Sequence, residues 1–152
     1  LGKDIEEKDP YSSNGYIDEG KEISEAGQAL TLTIPASIKK GETVYKVTEV
    51  ELSRDYRDRP VFNDYVHDKL IIPEGVTKIS SLSSMAILKE VTIPSTVTSI
   101  NSNNYTYIPE SKTLTTINYG GTQEQWAALN FVKPDNYDNT ITVHCTDGDI
   151  TL

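Results

Sequence analysis

Few side chains in this 152-residue chain suit nucleophilic or acid–base work at neutral pH: one cysteine, Cys145, and two histidines, His67 and His144. His144 and Cys145 are neighbours in Ile141-Thr-Val-His-Cys145, which reads as a strand. Adjacent strand residues point to opposite faces, so the two cannot form a local Cys–His dyad. A catalytic Cys145 would need His67, far away in sequence, and Cys145 is read as a small buried hydrophobe instead. Asp55, Asp58, Asp64 and Asp68 offer carboxylates for glycosidase-type chemistry, but Arg54, Arg57 and Arg59 are interleaved with them and point to surface ion pairs. Asp147-Gly-Asp149 has the start of a calcium loop without its other ligands and is read as a turn. The sequence holds no C-x-x-C, H-E-x-x-H, G-x-S-x-G or Walker phrase. No catalytic residue, metal ligand or cofactor is expected.

Recognition chemistry is better represented. Nine tyrosines stand against two phenylalanines, and tyrosine joins contact area to a polar tip. Tyr56, Tyr65 and Tyr107 are candidate binding residues, each with core filling as the alternative role. Core filling is the preferred reading of Phe62 and Tyr105. A second candidate set, Thr33, Ile71, Thr92 and Asn118, depends on the elements that would carry it.

Those elements repeat. A short apolar strand ends in Ile-Pro and is followed by an apolar residue at every third position. The phrase runs Leu70-Ile-Ile-Pro73-Glu-Gly-Val76-Thr-Lys-Ile79 and again Val91-Thr-Ile-Pro94-Ser-Thr-Val97-Thr-Ser-Ile100, with Ile72 and Ile93 21 residues apart. Leu32-Thr-Ile-Pro35-Ala-Ser-Ile38 is an earlier copy, and Leu114-Thr-Thr-Ile117-Asn-Tyr119 is a degenerate later one. Proline has no N–H to donate, so each strand should stop there. After a turn at Gly41-Glu42, the spacing of Val44, Val47 and Val50 predicts one inward wall of a coil with three residues per step. One unit buries two or three aliphatic side chains, too few to offset ordering ~20 residues at about 1–2 kcal/mol each, so units must stack. Stacking would turn Leu32, Ile34, Leu70, Ile72, Val91, Ile93 and Ile117 inward. Thr33, Ile71, Thr92 and Asn118 would then form an outward ladder, flanked by Glu90 and Thr116, with rungs about 4.8 Å apart. Such a ladder is either a binding face or simply a good strand surface.

The array has different ends. Residues 1–29 carry eight acids against three lysines, −5 of the total −9, and are read as an acidic lead-in or a cap over the first unit. Glu51–Lys69 and Asn101–Thr113 interrupt the repeats and hold the candidate tyrosines. Thr122-Gln-Glu-Gln125 is a capping-box pattern opening a short helix to about Leu129, with Trp126 and Leu129 inward. Ile141–Cys145 would follow as a closing strand, so that residues 121–152 form a C-terminal cap over an otherwise open edge.

With 14 basic and 23 acidic residues, the charge disfavours nucleic acid and anionic membrane surfaces as partners. No apolar run is long enough for membrane insertion. A single cysteine excludes an intrachain disulfide. A first residue Leu1 in place of Met points to a removed leader or upstream segment, a weak indication of export.

The frame L-x-x-V-x-I-P-x-x-V-x-x-I resembles the BspA-type leucine-rich repeats of bacterial cell-surface proteins. Leu88, Val91, Ile93, Pro94, Val97 and Ile100 match it position for position, and Leu70, Ile72, Pro73, Val76 and Ile79 nearly so. Tyr119-Gly-Gly-Thr122 with Gln125-Trp126, followed by Ile141 to Gly148, is similar to the family's terminal unit. The likeness spans residues 30–150, with the repeats at 30–120. The family's usual Ala-Phe is replaced by Val61-Phe62 after an insertion, and then by Met85 and Tyr105, so convex-side packing should be irregular. The resemblance implies a right-handed, curved leucine-rich-repeat solenoid, a strand-rich member of the α/β class with short parallel strands and a C-terminal helix–strand cap. It further implies an extracellular or cell-surface location and adhesion or binding to a protein or glycan. A structural spacer or accessory domain of a larger surface protein is the alternative.

Overall fold

The computed structural model describes residues 30–52, 67–82, 85, 87–100, 113–133 and 137–152. The Ile-Pro phrases become strands β1 (Thr31–Thr33), β5 (Lys69–Ile71) and β7 (Glu90–Ile93), and the degenerate copy becomes β9 (Thr116–Tyr119). Between the first two lie β2 (Ser37–Lys40), β3 (Thr43–Lys46) and β4 (Glu49–Glu51); β6 (Lys78–Ser81) and β8 (Ser99–Ile100) follow the later Ile-Pro turns. A short helix α1 (Gln123–Ala128) and strands β10 (Thr142–Cys145) and β11 (Gly148–Thr151) complete the described elements.

Strands β1, β5, β7, β9, β10 and β11 form one sheet in that order, parallel throughout except for the antiparallel pair β10–β11. Its register is one inward row, Leu32–Leu70–Val91–Ile117–Val143–Ile150. Strands β4, β6 and β8 form a second parallel sheet whose inward row is Val50–Ile79–Ile100. Both rows contribute to a single buried cluster, closed by Leu82, Met85, Leu88 and Leu114, each 4% exposed or less. Met85, the residue standing where the resemblance expects Phe, is fully buried.

The turns explain the proline. Ile34 and Ile72 donate their N–H groups to Ile71 and Thr92, so the strand bonds last until the residue before proline. Pro73 and Pro94 then accept from the N–H groups of Val76 and Val97. That closes a turn that aims each valine into the core, where both are 1% exposed or less. In the first turn Gly75 has φ +97°, a region costly for a side chain, and its N–H donates to Thr96 Oγ1 at 3.1 Å. Threonines tie each Ile-Pro segment to the one before it in the second sheet. Thr77 donates both its N–H and its hydroxyl to Thr48 O, and Thr98 donates both to Thr77 O.

Two expectations need correction. Ile38 and Val44 do not form an inward wall. They belong to an antiparallel hairpin, β2–β3, in which every residue is exposed, with Val44 at 62%. Gly41, at φ +60°, turns that hairpin, and the three-residue spacing from Val44 to Val50 crosses from hairpin to core strand. The segment after Cys145 is also more than a turn, since Gly148–Thr151 pairs back on β10.

The C-terminal helix follows its capping signals. Thr122 Oγ1 accepts from the Gln125 N–H at 3.2 Å, and Gln125 Oε1 accepts from the Thr122 N–H at 2.8 Å. Trp126 and Leu129 face inward, and Trp126 packs edge-on to Tyr119 and against Phe131. Tyr137, also buried, donates its hydroxyl to Leu114 O at 3.0 Å.

Candidate functional site

The outward face of the six-stranded sheet carries the predicted ladder. Thr33, Ile71, Thr92 and Asn118 occupy one register row, and the row continues through His144 and Asp149. A parallel row, two residues earlier on the parallel strands and two later on β11, runs Thr31–Lys69–Glu90–Thr116–Thr142–Thr151. Twelve side chains thus form a two-row grid, with neighbours about 4.8 Å apart across strands. Strand alternation places them there, because the residue between each pair belongs to the buried inward row.

The grid is chemically uneven. Its β1 side is hydroxyl and aliphatic: Thr31 and Thr33 flank Ile71, which is 39% exposed. Its middle is ionic. Lys69 Nζ lies 3.0 Å from Glu90 Oε2, and Asn118 Nδ2 donates to Glu90 Oε1 at 2.9 Å. The Lys69 hydrogen bond, helped by the Lys69 charge and by Asn118, holds the Glu90 carboxyl below its usual range against an opposing push from partial burial. Glu90 in turn raises the Lys69 ammonium. At the far side His144 Nδ1 and Asp149 Oδ1 are 2.8 Å apart on the antiparallel pair.

The nucleophile candidates are placed elsewhere in the architecture. Cys145 sits partly buried against the core, on the opposite side of β10 from His144. Burial, then the charges of Asp147 and Asp149, push its thiol upward, away from the reactive thiolate. His67 is 2% exposed. Asp147 accepts from the Gln123 N–H at 2.8 Å and so ties the β10–β11 turn to the start of α1. Among the described residues, no three His, Cys, Asp or Glu side chains gather into a metal-binding group. No helix among them is long and apolar enough to cross a membrane.

Tyr56, Tyr65 and Tyr107, with Asp55, Asp58 and Asp64, lie outside the described residues. Four of the seven predicted binding residues therefore share one face. The sequence pattern left out its far end, His144 and Asp149, and all of the companion row except Glu90 and Thr116. Alternation through Thr142-Val-His144 would have supplied His144. Asp149 was hidden because Ile150 is the one aliphatic residue of β11. No family model matches this chain, and neither a curated protein nor a solved structure matches it.

Proposed function

We propose that the chain is a non-catalytic binding module, a leucine-rich-repeat solenoid of the BspA type, secreted or displayed on a bacterial surface, that recognises a protein or glycan partner through the outward face of its six-stranded sheet. The observation that carries this reading is the in-register outward grid: Ile71 supplies an apolar contact toward its β1 side, with Thr33 and Thr92 opposite it on either strand, and the Lys69–Glu90–Asn118 network is held in place beside it. A face of this kind presents hydrogen-bonding groups without prior reorganisation, and preorganisation is what makes polar contacts productive on binding. The raised Cys145 thiol and the buried His67 agree with a non-catalytic role.

The test is binding of the labelled chain to extracellular-matrix proteins and to a glycan array, alongside Ile71→Ser and Asn118→Ala. The reading expects a ligand in one of the two screens and at least about tenfold weaker binding by a face variant, about 1.4 kcal/mol. Absence of any ligand, or a ligand indifferent to both substitutions, rejects the face as the binding surface.

A further inference from the structure

The first rung of the stack has a feature that the sheet face does not explain. Strands β1 and β4 stand at the same end of their two sheets. Along β4 runs a groove of about 380 Å³ whose apolar walls are Ile34, Ile38, Val47, Val50 and Leu52. The β2–β3 hairpin borders it through Ile38 and Lys46. Ile38 and Tyr45 are cross-strand partners, 42% and 50% exposed, and Val44 is exposed on the other side. An isolated two-stranded hairpin is marginal in water and gains stability by packing against something. The hairpin is also basic. Lys39, Lys40 and Lys46 outnumber Glu42, and none of the three lysines forms an ion pair with a described residue. Glu49 and Glu51 stand in the groove wall, and Glu49 is bound to Lys78 at 2.7 Å and to Ser80.

We propose that this groove and its hairpin are the docking site of the chain's own residues 1–29. Charge complementarity with the hairpin's lysines, rather than with the groove wall that holds Glu49 and Glu51, points to that occupant: the segment has eight acids against three lysines, with Tyr16, Ile17 and Ile23 to meet the apolar walls. Connectivity points the same way. The segment joins the described chain at Leu30, immediately before β1, and a short tether sets an effective concentration in the millimolar range. A free partner or a second copy would have to exceed that concentration to compete. The segment would cover the first rung's edge, as an end unit of a stacked array requires.

Carbodiimide coupling of the full-length chain, read by peptide mass spectrometry at two protein concentrations, tests the proposal. The expected result is links from Lys39, Lys40 or Lys46 to acids of residues 1–29, within one molecule and independent of concentration. The double reversal Lys39→Glu with Lys40→Glu should abolish links at those two positions and speed amide exchange across Thr43–Leu52 by about tenfold. Trp126 emission, reporting the opposite end of the stack, should stay unchanged and shows that the variant is folded. Links that form only between molecules and rise with concentration assign the groove to a second copy and overturn the proposal. Links confined to acids outside residues 1–29, no links at all, or exchange unaffected by the reversal also overturn it.

Discussion

Leu70 and Ile71 are sequence neighbours with opposite fates: Leu70 is 1% exposed inside the core and Ile71 is 39% exposed on the grid. Leu70→Ala should lower unfolding free energy by about 2–5 kcal/mol, through lost transfer energy and the cavity left behind. Ile71→Ser should shift it by no more than about 0.5 kcal/mol. Urea titration of the two variants measures this difference, and equal losses would show that the strand is in another register. Glu90 makes a different prediction. Its carboxyl is depressed in the folded state, so its contribution is present above the unfolded carboxylate pKa and is lost as pH falls through the lower folded value. The stability gap between the wild-type chain and Glu90→Gln should therefore be widest near neutrality and close under acid, as thermal melts at a series of pH values would record.

Elements differ in how far their sequences announce them. β1, β5 and β7 were legible because aliphatic alternation and a terminal proline act on the same few residues, and β9 from its Leu-x-x-Ile spacing without the proline. The helix was legible from Thr122 and Gln125, whose side chains occupy the positions a capping box requires. Removing that cap with Thr122→Ala should cost about 0.5–2 kcal/mol. It should also shift the emission of Trp126, the one tryptophan in the chain, toward that of a wetter indole; unchanged emission would mean that packing alone holds the helix. The β2–β3 hairpin was not legible. Val44, Val47 and Val50 share a spacing but not an environment, because the spacing spans a hairpin strand, a connector and a core strand. Tyr119 took the place of an inward Ile-Pro isoleucine, and only its register opposite Ile93 and its contact with Trp126 show why a large ring fits there. The candidate face was half legible. Its four predicted members follow from the alternation of three strands and of β9, whereas the tyrosines of the two insertions fall outside the described residues.

At the scale of the whole molecule, strands far apart in sequence are joined into one parallel ladder, so protection should be graded along it. Amide exchange is expected to be slowest in β5, β7, β9 and β10, which have partners on both sides in the six-stranded sheet, and fastest in the β2–β3 hairpin, whose residues are all exposed. Pulse labelling with peptide-level readout checks this, and uniform exchange across all strands would indicate a single all-or-none opening.

The reversed direction of β11 has a consequence of its own. A parallel strand can be laid beside another of the same sense indefinitely, each repeating the same slanted hydrogen bonds. At β11 the chain runs backwards, so a further strand of the common sense would meet one of opposite polarity and different hydrogen-bond spacing. Adding parallel strands is therefore compatible with the interior of the six-stranded sheet but not with its β11 edge, which serves as a stop.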